Sequence, residues 1–406
     1  MRRILPAGLL IIAAGMTEAA AQPLPPGPGQ QTVQQVCSVC HDLTRVVDGG
    51  RSRTSWETTL HMMVNAGAPL PADQFATTLD YLATHFPERP APPANVIAGP
   101  VAITIAEWVV PTPGARPHDP LAARDGSLWY TGQMANQLGR LDPKTGQFRL
   151  FPTGAALAGP HGLVEDAKGA IWFTANFSAA IGRLDPADGR LTRYPLPDPS
   201  ARDPHTPIFD HDGILWFTVQ NGNRIGRLDP TTGAIRLIAV PTPNARPYGL
   251  AIDPAGVPYF VEFGTNKLAR IDPKTLVIHE FPLPDPESRP RRLAIGADGV
   301  IWYTDFARGM LGRFDPKTGD VTEFASPSGP RAEPYGITIA KGAIWYSESA
   351  TRPNTLVRFD PERAQFQSFE ILPSGGGVVR NMMATPAGDL VLAESGVNRI
   401  ALVQVK

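Results

Sequence analysis

Cysteine is nearly absent. Cys37 and Cys40 are the only two in 406 residues, so no disulfide framework staples the chain and its stability must come from packing. Net charge is scarce too. The 37 Lys and Arg against 38 Asp and Glu leave -1, without the basic footprint that a nucleic-acid partner requires. Long apolar runs are missing beyond the first residues, so nothing later in the chain reads as a membrane-crossing helix. Glycine and proline are plentiful, at 39 and 44, but they recur at regular turns, which excludes low-complexity disorder. With 42% hydrophobic and 18% charged residues, the composition is that of a globular protein large enough for more than one domain.

The regularity of the turns organises most of the chain. An Asp-Pro turn returns at Asp142, Asp185, Asp229, Asp272, Asp315 and Asp360, at spacings of 43, 44, 43, 43 and 45 residues. A glycine ahead of an aromatic strand recurs seven times, at Gly126, Gly169, Gly213, Gly256, Gly299, Gly342 and Gly388. A period in the forties built on short strands marks a β-propeller, here of seven blades. In one unit, His161–Asp166, Ala170–Ala175, Ile181–Asp185 and Arg190–Leu196 read as four strands divided by Lys168-Gly169 and the Pro186–Gly189 turn. The last unit supplies only three strands before the chain ends. An orphan strand, Ile105–Pro111, stands ahead of the first unit and is expected to complete the last blade, closing the ring. The fold class is therefore mainly β, a seven-bladed propeller over residues 103–406, preceded by a small all-α domain.

Ahead of the propeller the pattern changes. Arg2 and Arg3, the apolar run Ile4–Met16 and the small residues Ala19-Ala20-Ala21 make residues 1–21 an export signal, and the expected location is the periplasm. Cys37-Ser38-Val39-Cys40-His41 follows in residues 22–88. C-x-x-C-H is the attachment pattern for haem c: the thiols add to the vinyl groups and the adjacent imidazole ligates iron. A zinc site would need more ligands than lie nearby, and a redox dithiol would need a βαβ setting. A plain disulfide leaves the histidine unexplained. A quinone derived from cysteine and tryptophan is disfavoured because both cysteines are committed to haem. Gln31–Cys40 reads as helix. Trp56, Leu60 and Met63 share a helical face, and Asp73 is placed to cap a helix carrying Phe75, Leu79, Leu82 and Phe86. Residues 31–88 resemble small c-type cytochrome domains, particularly the haem-binding domains of quinohaemoprotein amine dehydrogenase α subunits. The resemblance implies His41 as proximal ligand and Met63 as sixth, with Met62 and His61 as rivals. The Pro- and Ala-rich stretch Pro87–Pro100 reads as a semi-stiff linker, which places the linker at residues 89–102.

In the propeller, a position that varies from blade to blade is where specificity can reside. The first strands open on His118, His161, His205, Tyr248, Arg291, Tyr335 and Arg380. The second strands end on Gly132, Ala175, Val219, Glu262, Asp305, Glu348 and Glu394. Antiparallel pairing is expected to bring the two sets together on one rim, three histidines on one arc and four acids with Tyr and Arg on the other. Such acids can hold Mg²⁺ or Ca²⁺. Pro160-His161-Gly162-Leu163, Gly169–Thr174 and Asn223–Leu228 make residues 103–406 resemble the virginiamycin B lyase (streptogramin lyase) family. The resemblance implies an elimination that opens a cyclic ester, with two histidines and two glutamates around Mg²⁺. Those places fall on Tyr335, Arg380, Val378 and Glu394, so only Glu394 matches, and an arginine cannot serve as the base. Rotating the ring to His161 and His205 brings Asp203 but leaves Val219 at the strand end. Two readings follow: an electron-transfer protein whose propeller binds a small molecule or redox partner, and a Mg-dependent lyase with an attached cytochrome. A propeller acting only as scaffold is the third. No membrane span is expected after signal cleavage, and the mature chain is expected to be a monomer.

Overall fold

The computed structural model describes residues 24–39, 41–47 and 50–406. The export signal and Cys40 lie outside the described residues. Among the described residues, twenty-eight strands form seven antiparallel four-stranded sheets, one per sequence repeat. In the second blade the strands are Pro160–Glu165, Ile171–Ala175, Ala180–Leu184 and Leu191–Pro195; the second is buried throughout and the last has no buried residue. The orphan strand is Ile103–Val109. It pairs with the C-terminal strand Arg399–Val405 from Ile103 opposite Val405 to Val109 opposite Arg399, so the seventh blade is made from both ends of the propeller. It lies at the outer side of that sheet, so the seventh blade has four strands like the rest.

Two repeated residue types explain how the blades hold. The glycine of the third strand lies under an aromatic ring of the second. A Cβ on Gly182 would sit 2.2 Å from Phe173, and one on Gly226 would sit 2.1 Å from Phe217. The threonine of the second strand bridges to the next blade. Thr131 Oγ1 donates to the His161 carbonyl at 2.6 Å, Thr174 to His205 at 2.7 Å, Thr218 to Tyr248 at 2.8 Å and Thr304 to Tyr335 at 2.9 Å. The same oxygens accept from their own blade, as from the Gly162 N–H at 3.0 Å. These threonines therefore fix the backbone of the very residues that open the first strands.

Residues 24–86 form a helical layer with a separate apolar core of Leu24, Val33, Val46, Trp56, Leu60, Leu79, Tyr81, Leu82 and Phe86. Helix Arg53–Asn65 is capped by Ser52, whose side chain accepts from the Ser55 N–H, and its buried face carries Trp56 and Leu60. The Trp56 indole donates to the Phe86 carbonyl at 2.8 Å and ties this helix to the end of helix Phe75–His85. Asp73 is not the cap. It lies inside a tight turn, Ala72–Gln74, opened by Pro71, and Gln74 precedes the α-helix without a side-chain cap bond. The expected helix over Gln31–Cys40 is shorter, a turn at Gln30–Thr32 running into a wider π-helical turn at Val33–Cys37.

The stretch after the helices is an extended strap bonded to the propeller rather than a free spacer. The Arg352 N–H donates to Pro92 O at 3.2 Å, Asn95 Nδ2 to Pro327 O at 2.8 Å, and Gln367 Nε2 to Val101 O at 2.6 Å. Its prolines hold it extended, which leaves the Pro92 and Val101 carbonyls free to be met by Arg352 and Gln367 of the sixth blade.

Candidate functional site

All seven blades carry a bulge at the start of the first strand, as between Pro160 and Leu163 or Pro334 and Ile337. A bulge re-aims the side chain beside it. The residues after it converge on the propeller axis. His118 and His161 have ring centroids 3.6 Å apart, His161 and His205 3.7 Å, and His205 and Tyr248 3.8 Å. The Tyr248 and Tyr335 hydroxyls meet at 2.5 Å, and the Arg291 guanidinium lies 3.8 Å above the Tyr335 ring. Arg292 reaches across to Asp119 at 2.9 Å and donates from Nε to the Arg380 carbonyl at 3.1 Å.

Burial holds the three histidines well below their usual pKa, and the surrounding arginines push the same way, so the imidazoles are neutral. Burial raises Tyr335, but Arg291, Arg380 and Arg292 outweigh it and bring the phenol down to about 8. Asp119 was not singled out in the sequence; its position beside His118 was the available signal. With His118 and His161 it brings three ligand-type atoms within 4.8 Å of one another. Asp119 is already held by Arg292, and Arg116, Arg291 and Arg380 all act on His118. The axis is therefore a positively charged place, poorly suited to a cation.

The structure does not bring the four strand-end acids together with Arg291, Arg380, Tyr248 and Tyr335 in one pocket. The bulge sets each acid opposite the residue before the axial one: Glu262 opposite Pro247, Asp305 opposite Pro290, Glu348 opposite Pro334 and Glu394 opposite Val379. Each acid has its own partners. Glu262 accepts from Thr265 at 2.8 Å, Asp305 pairs with Arg308 at 3.3 Å, and Glu348 accepts from the Ser328 N–H at 2.9 Å. Glu394 accepts from Ser374 at 3.2 Å, beneath a second buried carboxylate, Glu107, that the same hydroxyl reaches at 2.8 Å. Burial first, and Glu107 next, push Glu394 up to about 8. A carboxyl that keeps its proton at neutral pH is a weak ligand for Mg²⁺ or Ca²⁺.

A second place lies where the helical layer covers the axial mouth. A cavity of about 370 Å³ is walled on the helical side by Cys37, His41, Trp56, Leu60, Met62 and Met63, and on the other by Arg116, Arg352 and Arg380. Both methionines face it. His61 instead stacks on Phe75 with centroids 4.6 Å apart. His41 Nδ1 lies 2.8 Å from the Asp42 carbonyl, which fixes the hydrogen on Nδ1 and leaves the Nε2 lone pair for a ligand. Burial raises the Cys37 thiol, the opposite of what a redox dithiol requires.

The virginiamycin B lyase family model matches residues 98–359, which is most of the propeller. The chain belongs to this family. Among solved structures, a streptogramin B lyase is 26% identical with a TM-score of 0.68, over 75% of this chain and 98% of that one. A catalytically inactive histidine-to-alanine variant of virginiamycin B lyase from Staphylococcus aureus, with quinupristin, is 25% identical with a TM-score of 0.68, over 75% of this chain and 99% of that one. Hydrazine synthase from Kuenenia stuttgartiensis shares the fold alone, at 12% identity and a TM-score of 0.59, over 71% of this chain and 95% of that one. No curated protein sequence matches the chain. The family model begins at residue 98, so the helical layer precedes the part that this virginiamycin B lyase relative shares with its family.

Proposed function

We propose that the chain is an exported c-type haem protein that transfers electrons, with a lyase-family propeller as the face toward a redox partner or small molecule. The observation that carries this reading is the cavity that Cys37, His41, Met62 and Met63 share between the helices and the propeller. Its walls fit the group: apolar residues to receive a flat macrocycle, an imidazole with its Nε2 free, and thioether sulfurs in the same space. Cys37 and Cys40 would tether the haem, His41 would ligate iron, and Met63 would be the sixth ligand with Met62 as its rival. Haem c would supply one-electron chemistry when bound, and a methionine ligand from Met63 would favour a higher potential than a histidine in its place. Trp56, Leu60 and Leu82 give the cavity an apolar wall, which would lower the dielectric around a bound haem. The signal over residues 1–21 supports delivery to the periplasm, where attachment chemistry takes place.

The elimination known from the name of the family is not the reading we favour here. Tyr335 and Arg380 stand at the histidine places, the axis is positively charged, and Glu394 keeps other company. Expression with periplasmic haem-maturation machinery tests the proposal. A red protein whose haem survives acid–acetone extraction is expected, and Cys37→Ala with Cys40→Ala should lose it. Equal haem retention in the double variant would sink the reading.

A further inference from the structure

The cavity wall carries guanidiniums out of proportion to its acids, most of them from the propeller. Arg51, Arg116, Arg352 and Arg380 come from stretches far apart in the chain and meet at one place. They repel one another. Burial and then Arg380 and Arg352 lower Arg51, while burial and then Arg380 bring Arg116 down to about 9. Gathering like charges away from water is unfavourable unless an anion joins them. The protein supplies little of that anion. Among the described residues Arg51, Arg116 and Arg380 form no ion pair, and Arg380 Nε is buried without a hydrogen-bond partner. Arg352 pairs with one acid, Glu88, at 3.3 Å on the exposed rim, and donates besides to the Thr351 carbonyl at 2.8 Å. Glu333 feels Arg291, Arg352 and Arg380, yet burial outweighs them and its carboxyl is raised.

We infer that Arg116, Arg352 and Arg380, with Arg51 beside them, form the receptor for the two propionate carboxylates of the haem. The propeller thus grips the cofactor that the helices attach. This rests on the haem reading above. The cavity sets apolar helical residues, Val36, Trp56, Leu60 and Leu82 among them, against a cluster of guanidiniums that Arg116, Arg352 and Arg380 bring from the propeller and Arg51 from the helical layer. Haem has the same division, an apolar ring with both carboxylates at one edge. Guanidiniums suit those carboxylates because the planar fork donates two parallel hydrogen bonds. The grip also joins haem to axis, since the Arg380 carbonyl accepts from Arg292 and its guanidinium lies 6.0 Å from the Tyr335 ring.

The test uses the full-length, haem-loaded protein. Arg116→Gln, Arg352→Gln and Arg380→Gln are combined and compared with Arg380→Lys by resonance Raman spectroscopy and by redox titration. The propionate bending modes should shift in the triple variant, and its reduction potential should fall, because less positive charge then opposes the ferric state. Arg380→Lys should shift the modes while holding the potential near wild type. Should the triple variant not fold, Arg352→Gln at the rim is read the same way. Haem-loaded variants whose propionate modes match wild type overturn the inference, whatever their potential. A wild-type protein purified without covalent haem instead overturns the haem reading beneath it.

Discussion

The residues that open the seven first strands share a place in the repeat but not a chemistry, and the bulge beside each decides where its side chain goes. Their convergence was legible from the repeat alone: His118, His161, His205, Tyr248 and Tyr335 do meet on the axis. The company of the acids was not, because regular antiparallel pairing would place strand starts and strand ends side by side, and one extra residue puts them on opposite faces. Glu394 shows the consequence. Its carboxyl is raised to about 8, so the folded chain binds a proton there that the unfolded chain releases near its ordinary value of 4.5. More protons on the folded state means that this group's contribution falls as pH rises from about 4.5 through about 8. The buried neutral histidines act oppositely, but their effect is complete above about 6.5. Glu394→Gln removes the carboxylate, so the melting temperature of the variant should gain on wild type steadily between pH 5 and pH 8. A gap that stays constant over that range would show that Glu394 ionises freely in the fold.

Among the elements, the repeats announced their strands but hid the ties between blades. Aromatic and β-branched alternation marks the second strand wherever it occurs, and boundaries move by one or two residues at most, as in Ile171–Ala175. The threonine in that strand looked like one more β-former. Its role depends on a neighbour about thirty residues away, across a blade interface that local pattern does not describe. Thr174 donates to His205 O at 2.7 Å and accepts from the Gly162 N–H at 3.0 Å, and it is fully buried. Thr174→Val keeps the shape and leaves both backbone groups unpaired, so a loss of ~1–3 kcal/mol is expected in urea denaturation. Thr192, half-exposed on the outer strand of the same blade, is the control, and its valine variant should stay near wild type. Equal effects at the two positions would mean that the inter-blade bond adds nothing.

For the whole molecule, closure by strand Ile103–Val109 was readable because a propeller with three strands in its last blade needs a fourth, and the chain holds one spare. How the helical layer would sit was not readable. Hydrophobic periodicity reports which face of a helix is buried, not which surface covers its other side. The answer turns on one glycine. Gly114, at φ +65°, lies so close under helix Arg53–Asn65 that a Cβ there would be 2.5 Å from the Met62 nitrogen and 2.6 Å from the His61 carbonyl carbon. Asn65 fastens the same contact by donating to Pro113 O at 2.9 Å. Backbone has no rotamer with which to yield, so a side chain at Gly114 must lift the helix or distort the loop. Gly114→Val should therefore speed amide hydrogen exchange in Arg53–Asn65 by loosening its seat on the propeller. The central strands, such as Leu215–Val219, should keep their protection, because their bonds lie within a blade and to its neighbours. If the helix exchanges at the wild-type rate in a folded Gly114→Val protein, the two layers are not held through this contact, and the cavity between them needs another support.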